Sequence, residues 1–326
     1  MNHIFYLLVW VSMLVPMLAT AEPVDDPDPE YWLERVRSAN KHLDYVGTFI
    51  YQSGKHVEAS RIIHRIDEQG EYERIEALDG RPREMVRFGD EVHYLMPEQD
   101  TFIVDRLIAK RTFPAWVSAS AADLAKYYQV QLGDKARVAG VDAQIIELTP
   151  RDSLRYRHML WVDRESGLLV KSLILNEKGD VLERVSFNEV HIGEKADRAL
   201  LQQASDYDTS NWREVNVCGT KIDEGKLGWR VSRPLPGFRL ISSKQRSLSE
   251  VHGDVTHLVF SDGLVAISVF IEARPSGAAA VPAEPAMIGA TSLYKRVVAN
   301  YVITVVGEVP AQTVQKLGQA VERVTL

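Results

Sequence analysis

The amino-acid sequence predicts an α+β chain, mostly antiparallel β. A large curved half-barrel packed on helices comes first and a small α+β unit follows. Three observations carry this. The chain has 326 residues, enough for about two domains on a prior of roughly 150 residues each. Between residues 45 and 189 short runs rich in β-branched and aromatic residues alternate with Gly, Asp and Pro turn signals, the mark of a meander. A polar stretch over 191–228 then separates this region from a second strand pattern that begins at Trp229. Apolar residues make up 45% and charged residues 25% of the chain, which excludes disorder and fibrous repeats. The net charge of −7 argues against general nucleic-acid binding, which needs clustered cations.

The first 21 residues read as a leader outside the fold. Ile4 to Leu18 is apolar apart from Ser12 and Pro16, Ala19-Thr20-Ala21 has the A-x-A form, and acids follow at Glu22, Asp25, Asp26 and Asp28. This is the pattern of a cleaved secretory signal peptide, and the apolar run falls short of the roughly 20 residues that a spanning helix needs. No cysteine sits at the cleavage site, which argues against a lipid anchor. Cys218 is the single cysteine, so no intramolecular disulfide can form. A secreted chain without disulfides suits a bacterial periplasm.

Asp28-Pro29-Glu30 supplies an N-cap, an N1 proline and a first-turn acid, and Trp32, Leu33, Val36, Ala39 and Leu43 share one face. A helix over 29–42 follows. Strands are expected over 45–52, 59–67, 71–78, 84–88, 91–96 and 101–105, with Asp79-Gly80 and Gly89-Asp90 among the turns. Connections this short force antiparallel pairing. Ser118 to Tyr128 is Ala-rich and reads as a short helix, after a Phe113-Pro114-Ala115-Trp116 loop. Strands resume over 128–132, 138–149, 157–163, 168–175 and 181–189. Some ten strands in one sheet must curl to bury their apolar side. In the second unit strands are expected over 238–243, 255–261, 264–273 and 301–306, with Asp262-Gly263 as a hairpin turn. Arg274 to Ala286 is Pro/Ala/Gly-rich and reads as a loop. Pro310 opens a helix with Val314, Leu317, Val321 and Val324 on one face. The boundaries expected are a leader over 1–21, a half-barrel over 22–190, a linker over 191–228 with a short helix near 199–204, and a small domain over 229–326.

Catalytic and cofactor motifs are missing from the sequence. There is no G-x-S-x-G, H-E-x-x-H, P-loop or G-x-G-x-x-G, so neither an enzyme nor a cofactor or metal site is expected. Binding remains. A curved sheet has a wall to fill, and Phe49, Tyr51, Ile63, Met85, Trp161 and Leu173 are its candidates, each otherwise plain core. Phe113 and Trp116 read either as a plug in the wall or as a lid over a cavity.

At this point the chain resembles the RseB/MucB family of periplasmic sigma-E regulatory proteins. Trp229, Leu235-Pro236-Gly237-Phe238, Ser261-Asp262-Gly263-Leu264 and the passage Ile303 to Thr313 carry the likeness in the second unit. Tyr45-Val46-Gly47-Thr48-Phe49, Trp161-Val162-Asp163 and Gly167-Leu168 carry it in the first. The loop at 274–286 departs from the pattern. The resemblance implies a LolA/LolB-like half-barrel and a small C-terminal α+β domain. It also implies a partner, the periplasmic part of an RseA/MucA-type anti-sigma factor, which such proteins shield from a site-1 protease. Lipopolysaccharide or another acyl lipid would act as the release signal. A homodimer is a further assembly compatible with this reading. Acyl chains would meet the apolar wall, and Arg81, Arg83 and Lys110 would meet lipid phosphates. Trp212, Trp229, Arg230, Phe238 and Tyr294 are the partner-binding candidates, because aromatics and arginine dominate interface energetics. The rival reading is a periplasmic lipid or lipoprotein carrier. A hydrolase would require two carboxylates lining the cleft at catalytic distance.

Overall fold

Why the chain enters on a helix is local. In the computed structural model, which describes residues 28–68, 70–106, 117, 119–193, 207–247, 253–275, 277 and 284–324, Asp28 caps α1 (Pro29–His42) by accepting from the Tyr31 amide at 2.8 Å. Trp32, Leu33, Val36 and Ala39 of α1 are buried. Burying a side chain the size of Leu or Val is worth about 1.5–3 kcal/mol, so the apolar stripe rather than helix propensity fixes α1 in place.

Eleven antiparallel strands follow: β1 (Tyr45–Ser53), β2 (His56–Asp67), β3 (Gly70–Ala77), β4 (Glu84–Phe88), β5 (Glu91–Met96), β6 (Thr101–Arg106), β7 (Tyr128–Val138), β8 (Val141–Pro150), β9 (Arg157–Asp163), β10 (Leu169–Leu175) and β11 (Val181–Ile192). A single-turn helix, α2 (Ala121–Leu124), precedes β7. β1 pairs with β2 on one side and β11 on the other, so two runs of hairpins fan out from a central pair. β12 (Arg213–Asn216) adds to the β6 edge in parallel and makes the sheet twelve-stranded. The sheet stays open, ending at β12 and β7, yet β7 approaches β11 across three intervening strands. That approach requires strong curling.

The second sheet has the order β13-β15-β16-β17-β20-β19-β18. Its strands are β13 (Thr220–Lys221), β15 (Arg239–Ser247), β16 (Asp254–Ser261), β17 (Ala266–Ala273), β18 (Ala286–Ile288), β19 (Thr291–Val298) and β20 (Tyr301–Gly307). α3 (Ala311–Ala320) packs on β19 and β20. β14 (Trp229–Val231) pairs with β21 (Val321–Arg323). The fold is α+β and mostly antiparallel, as the sequence predicts.

Several boundaries differ from expectation. The sequence break at Gly133-Asp134 is a bulge inside β7, where the register against β8 shifts between Leu132 and Lys135. A Cβ on Gly133 would sit 2.9 Å from Ile145, so close packing, not a turn, requires this glycine. The real turn is Ala139-Gly140, both with positive φ. The helix expected over 118–128 is α2 alone among the described residues, because Tyr128 already belongs to β7. The C-terminal helix stops at Ala320, and Val321 turns into β21 because Trp229 to Val231 offers it a strand partner. The expected linker contributes β12 to one sheet and β13 to the other. The short helix expected near 199–204 lies outside the described residues.

Candidate functional site

The Asp262-Gly263 turn between β16 and β17 does more than reverse the chain. Oδ1 of Asp262 accepts from the Leu264 and Val265 amides at 2.9 and 3.0 Å, as a short side chain in a turn does. Oδ2 is thereby left pointing at the large sheet. It accepts from Arg155 Nε at 2.7 Å and from the Tyr128 hydroxyl at 3.1 Å. Arg155, in the β8–β9 connection, also donates to Asp152 Oδ2 at 2.5 Å and to the Pro236 carbonyl at 2.7 Å. Its guanidinium lies 4.7 Å from the Tyr127 ring and 4.5 Å from the Phe238 ring. The Arg155 and Asp262 side chains are both 0% exposed.

Around this pair the two sheets share one apolar cluster. It holds Trp32 and Leu33 of α1, Ile146 and Leu160 of the large sheet, and Phe238, Ile267 and Val305 of the small one. Arg246 of β15 bonds Asp105 at 2.9 Å, and Gln312 and Thr313 of α3 bond the Ser153 and Leu154 carbonyls at 2.7 and 2.9 Å. Burial pushes the Tyr128 hydroxyl well up, and Asp262 adds to this. Burial also holds His158 of β9 down at about 4, with Asp262 opposing in part. These are the shifts of a structural joint.

The candidate wall divides. Cross-strand pairs share a face. Tyr51 pairs with Val185, Val185 with Ser172, and Ser172 with Leu160, whose cluster includes α1. Phe49 and Tyr51 therefore lie on the helix-bearing face, and Met85 joins them through the Gly47–Ile62, Ile62–Ile75 and Ile75–Met85 pairs. Ile63 pairs with Val46, Trp161 with Lys171, and Leu173 with Arg184. The pairs Lys171–Ser186–Ile50 and Arg184–Gln52 put these three residues on the opposite face. The six do not line one wall, because strand alternation separates positions that residue type alone groups together. Packing still joins Phe49, Trp161 and Leu173 into one apolar cluster.

The helix-bearing face also carries charge. Arg87 donates to Glu71 at 2.6 Å and Glu73 at 3.1 Å, His64 bonds Glu71 at 3.2 Å, and Tyr45 stacks on His64 at 4.8 Å. Burial raises Glu71, but hydrogen bonds from His64 and Arg87 outweigh it and pull the group to about 2. Burial raises Glu73.

Of the expected phosphate contacts, Arg83 is paired with Glu58 and Arg81 lies 3.8 Å from Glu98. Lys110, Phe113 and Trp116 lie outside the described residues. Among the partner candidates, Arg230 is exposed and bonds Glu322 at 3.1 Å. Trp212 is half-buried, 5.7 Å from the Tyr207 ring. Trp229, Phe238 and Tyr294 are buried in the shared cluster, so in this structure they pack the core rather than present an interface. Aromatic residue type does not distinguish those two uses. Sequence reading missed Arg155, Tyr128 and Arg246 entirely. It read Asp262 only as a turn residue, and no local signal marks its distant partner. Among the described residues no group of three or more His, Cys, Asp or Glu could hold a metal, and no helix is long and apolar enough to cross a membrane.

Two mostly antiparallel sheets locked through a buried arginine define a two-unit α+β scaffold. The chain belongs to the MucB/RseB family: residues 28–205 match the family's N-terminal domain and residues 223–322 its C-terminal domain. It is 31% identical over 322 residues to the sigma factor AlgU regulatory protein MucB of Pseudomonas aeruginosa, covering 97% of this chain and 95% of that protein. It is 25% identical over 317 residues to the sigma-E factor regulatory protein RseB of Escherichia coli, covering 97% and 96%. The crystal structure of MucB in complex with MucA(peri) superposes with a TM-score of 0.69 at 30% identity, covering 92% of this chain and all of that one.

Proposed function

We propose that this chain is a non-enzymatic periplasmic regulator. It binds the periplasmic part of a transmembrane anti-sigma factor, shields it from site-1 proteolysis, and so restrains an envelope-stress sigma factor of the sigma-E type. The observation that carries the reading is the likeness, over nearly the whole length of both chains, to MucB held in complex with MucA(peri). The apolar leader with its A-x-A end supports export to the periplasm. A partner segment that orders on binding spends part of its interaction energy on ordering, which keeps affinity tunable.

Lipopolysaccharide or a related acyl lipid is the release signal in this reading. A ligand releases a partner only through unequal affinity for two states. Rotating one sheet against the other would withdraw Arg155 from Asp262 inside a shared core, so a displaced segment is the cheaper second state. Trp212 and Arg230 are the partner contacts that keep exposed surface.

The test is reconstitution with the periplasmic segment of the cognate anti-sigma factor. The complex should form, protect the segment from the site-1 protease, and come apart on addition of lipopolysaccharide. Failure to bind the segment would sink the reading. Capture of lipoproteins or lipid alone would support a carrier instead.

A further inference from the structure

Three separate elements close on a cleft of about 780 Å³ at one end of the large sheet. α1 contributes Tyr31 and Trp32, the β7–β8 hairpin Arg137 and Asp142, and the β9–β10 turn Asp163 and Arg164. The frame is tied together. Arg35 of α1 donates to the Glu165 carbonyl and to the Tyr31 hydroxyl, and the Arg164 amide donates to the Asp142 carbonyl at 2.9 Å. The hairpin holds Ala139 at φ +48. That left-handed conformation costs a non-glycine residue energy and marks a turn fixed by its surroundings.

A donor and acceptor account decides what would fit. Asp163 is committed, taking the Ser166 amide at 2.8 Å and the Ser166 hydroxyl at 2.5 Å. Glu165 is engaged as well. Asp142, opposite Arg137 in the ladder, is the one lining carboxylate without a bonded partner among the described residues. Donors are in excess. Arg137 uses only Nε, on the Gly140 carbonyl at 3.3 Å, and Arg164 is exposed with no carboxylate bonded among the described residues. Two fork-shaped guanidiniums match a tetrahedral oxyanion.

We propose that this cleft binds a phosphate group, held by Arg137 and Arg164. The bearer is either a free phosphorylated small molecule or a lipid headgroup. The inference stands on the cleft alone and is independent of the regulator reading. Arg81 and Arg83, by contrast, already face carboxylates.

The experiment uses the purified protein at low ionic strength, where exposed charges are least screened. Probes are inorganic phosphate and glycerol 1-phosphate by calorimetry, and phosphatidylglycerol/phosphatidylcholine vesicles by co-sedimentation. Saturable binding should weaken about tenfold or more in R137Q/R164Q and stay unchanged in R213Q, at an exposed arginine of β12, with thermal unfolding of all variants alike. Binding of the soluble phosphates assigns a small-molecule ligand, and binding of the vesicles alone assigns a headgroup. No saturable binding to any probe overturns the proposal. So does binding that survives in R137Q/R164Q, or that falls equally in R213Q.

Discussion

Arg155→Met should cost the folded state about 3–5 kcal/mol, the usual loss when one member of a buried ion pair is removed. The magnitude follows from what remains. Methionine keeps most of the aliphatic volume, so cavity formation is a minor part. Asp262 keeps its two backbone donors and the Tyr128 hydroxyl but loses its counter-ion in a fully buried site. The Pro236 carbonyl loses its donor, and the Tyr127 and Phe238 rings lose a cation at 4.7 and 4.5 Å. Such contacts are worth about 0.5–2 kcal/mol when desolvated. A domain with about 5–15 kcal/mol of total stability would lose a large share. Urea unfolding followed by tryptophan emission measures the loss.

Asp262→Asn isolates the charge, because the amide oxygen can still accept from Leu264 and Val265. The double variant should cost at least about 2 kcal/mol less than the sum of the singles, since neither then leaves an uncompensated charge. The wild type should unfold in one transition, because the core cluster runs through both sheets, whereas Arg155→Met should begin to separate two. A loss under about 1 kcal/mol for Arg155→Met, or a cycle additive within about 0.5 kcal/mol, would refute the joint.

Other expectations are narrower. Gly237→Ala should destabilise by about 2–4 kcal/mol, because φ is +82° and the new Cβ would meet Arg155 Nη2 at 2.5 Å and the Tyr127 ring at 2.7 Å; thermal unfolding reads it. His158 is neutral when folded down to about pH 4 but titrates near 6.5 when unfolded. The unfolded state therefore binds the extra proton between those values, and stability should fall by up to roughly 3 kcal/mol as pH drops from about 6.5 to 4. His158→Gln should flatten that part of the pH–stability curve, and an unchanged slope would count against burial as the cause. Trp116→Ala and Phe113→Ala should alter lipid-triggered release of the partner segment more than stability. A large loss of Tm with normal release would make them plain core.

How much of this the sequence carried depends on range. α1 was legible because its cap, N1 proline and apolar stripe all lie within 14 residues. β4, β5 and β9 were legible because alternation and turn residues are local. β12, β13, β18 and β21 were not, being two to four residues long and defined by what they pair with. β19 was missed too, although its seven-pair register with β20 makes it as regular as any strand. The joint was invisible for the same reason: Arg155 and Asp262 are 107 positions apart, and neither stands in a motif that anticipates the other. The division of the apolar wall could have been foreseen only with the register known, since one step along a strand moves a side chain to the other face.

The joint also limits how this scaffold can respond to a ligand. Ordering a partner segment costs about 1–2 kcal/mol per residue of backbone, and the scaffold adds to that cost only if it too must be ordered. Arg155 with Asp262, Arg246 with Asp105, and α3 on the Ser153 and Leu154 carbonyls fix the two sheets at three separated points. With the sheets so held, contacts to one constrain where contacts to the other can form, and a single extended segment can be gripped by both. In the proposed reading, a lipid release signal would then have to act where the scaffold is not so tied. The helix-bearing face of the curled sheet is such a place. There Tyr45 stacks on His64 beside an ionic network whose Arg87 keeps two buried nitrogens without acceptors among the described residues. Buried polar groups left unpaired are energetically expensive, so a rearrangement that satisfies them has a driving force that one at the joint, where Asp262 and Arg155 already satisfy each other, would lack.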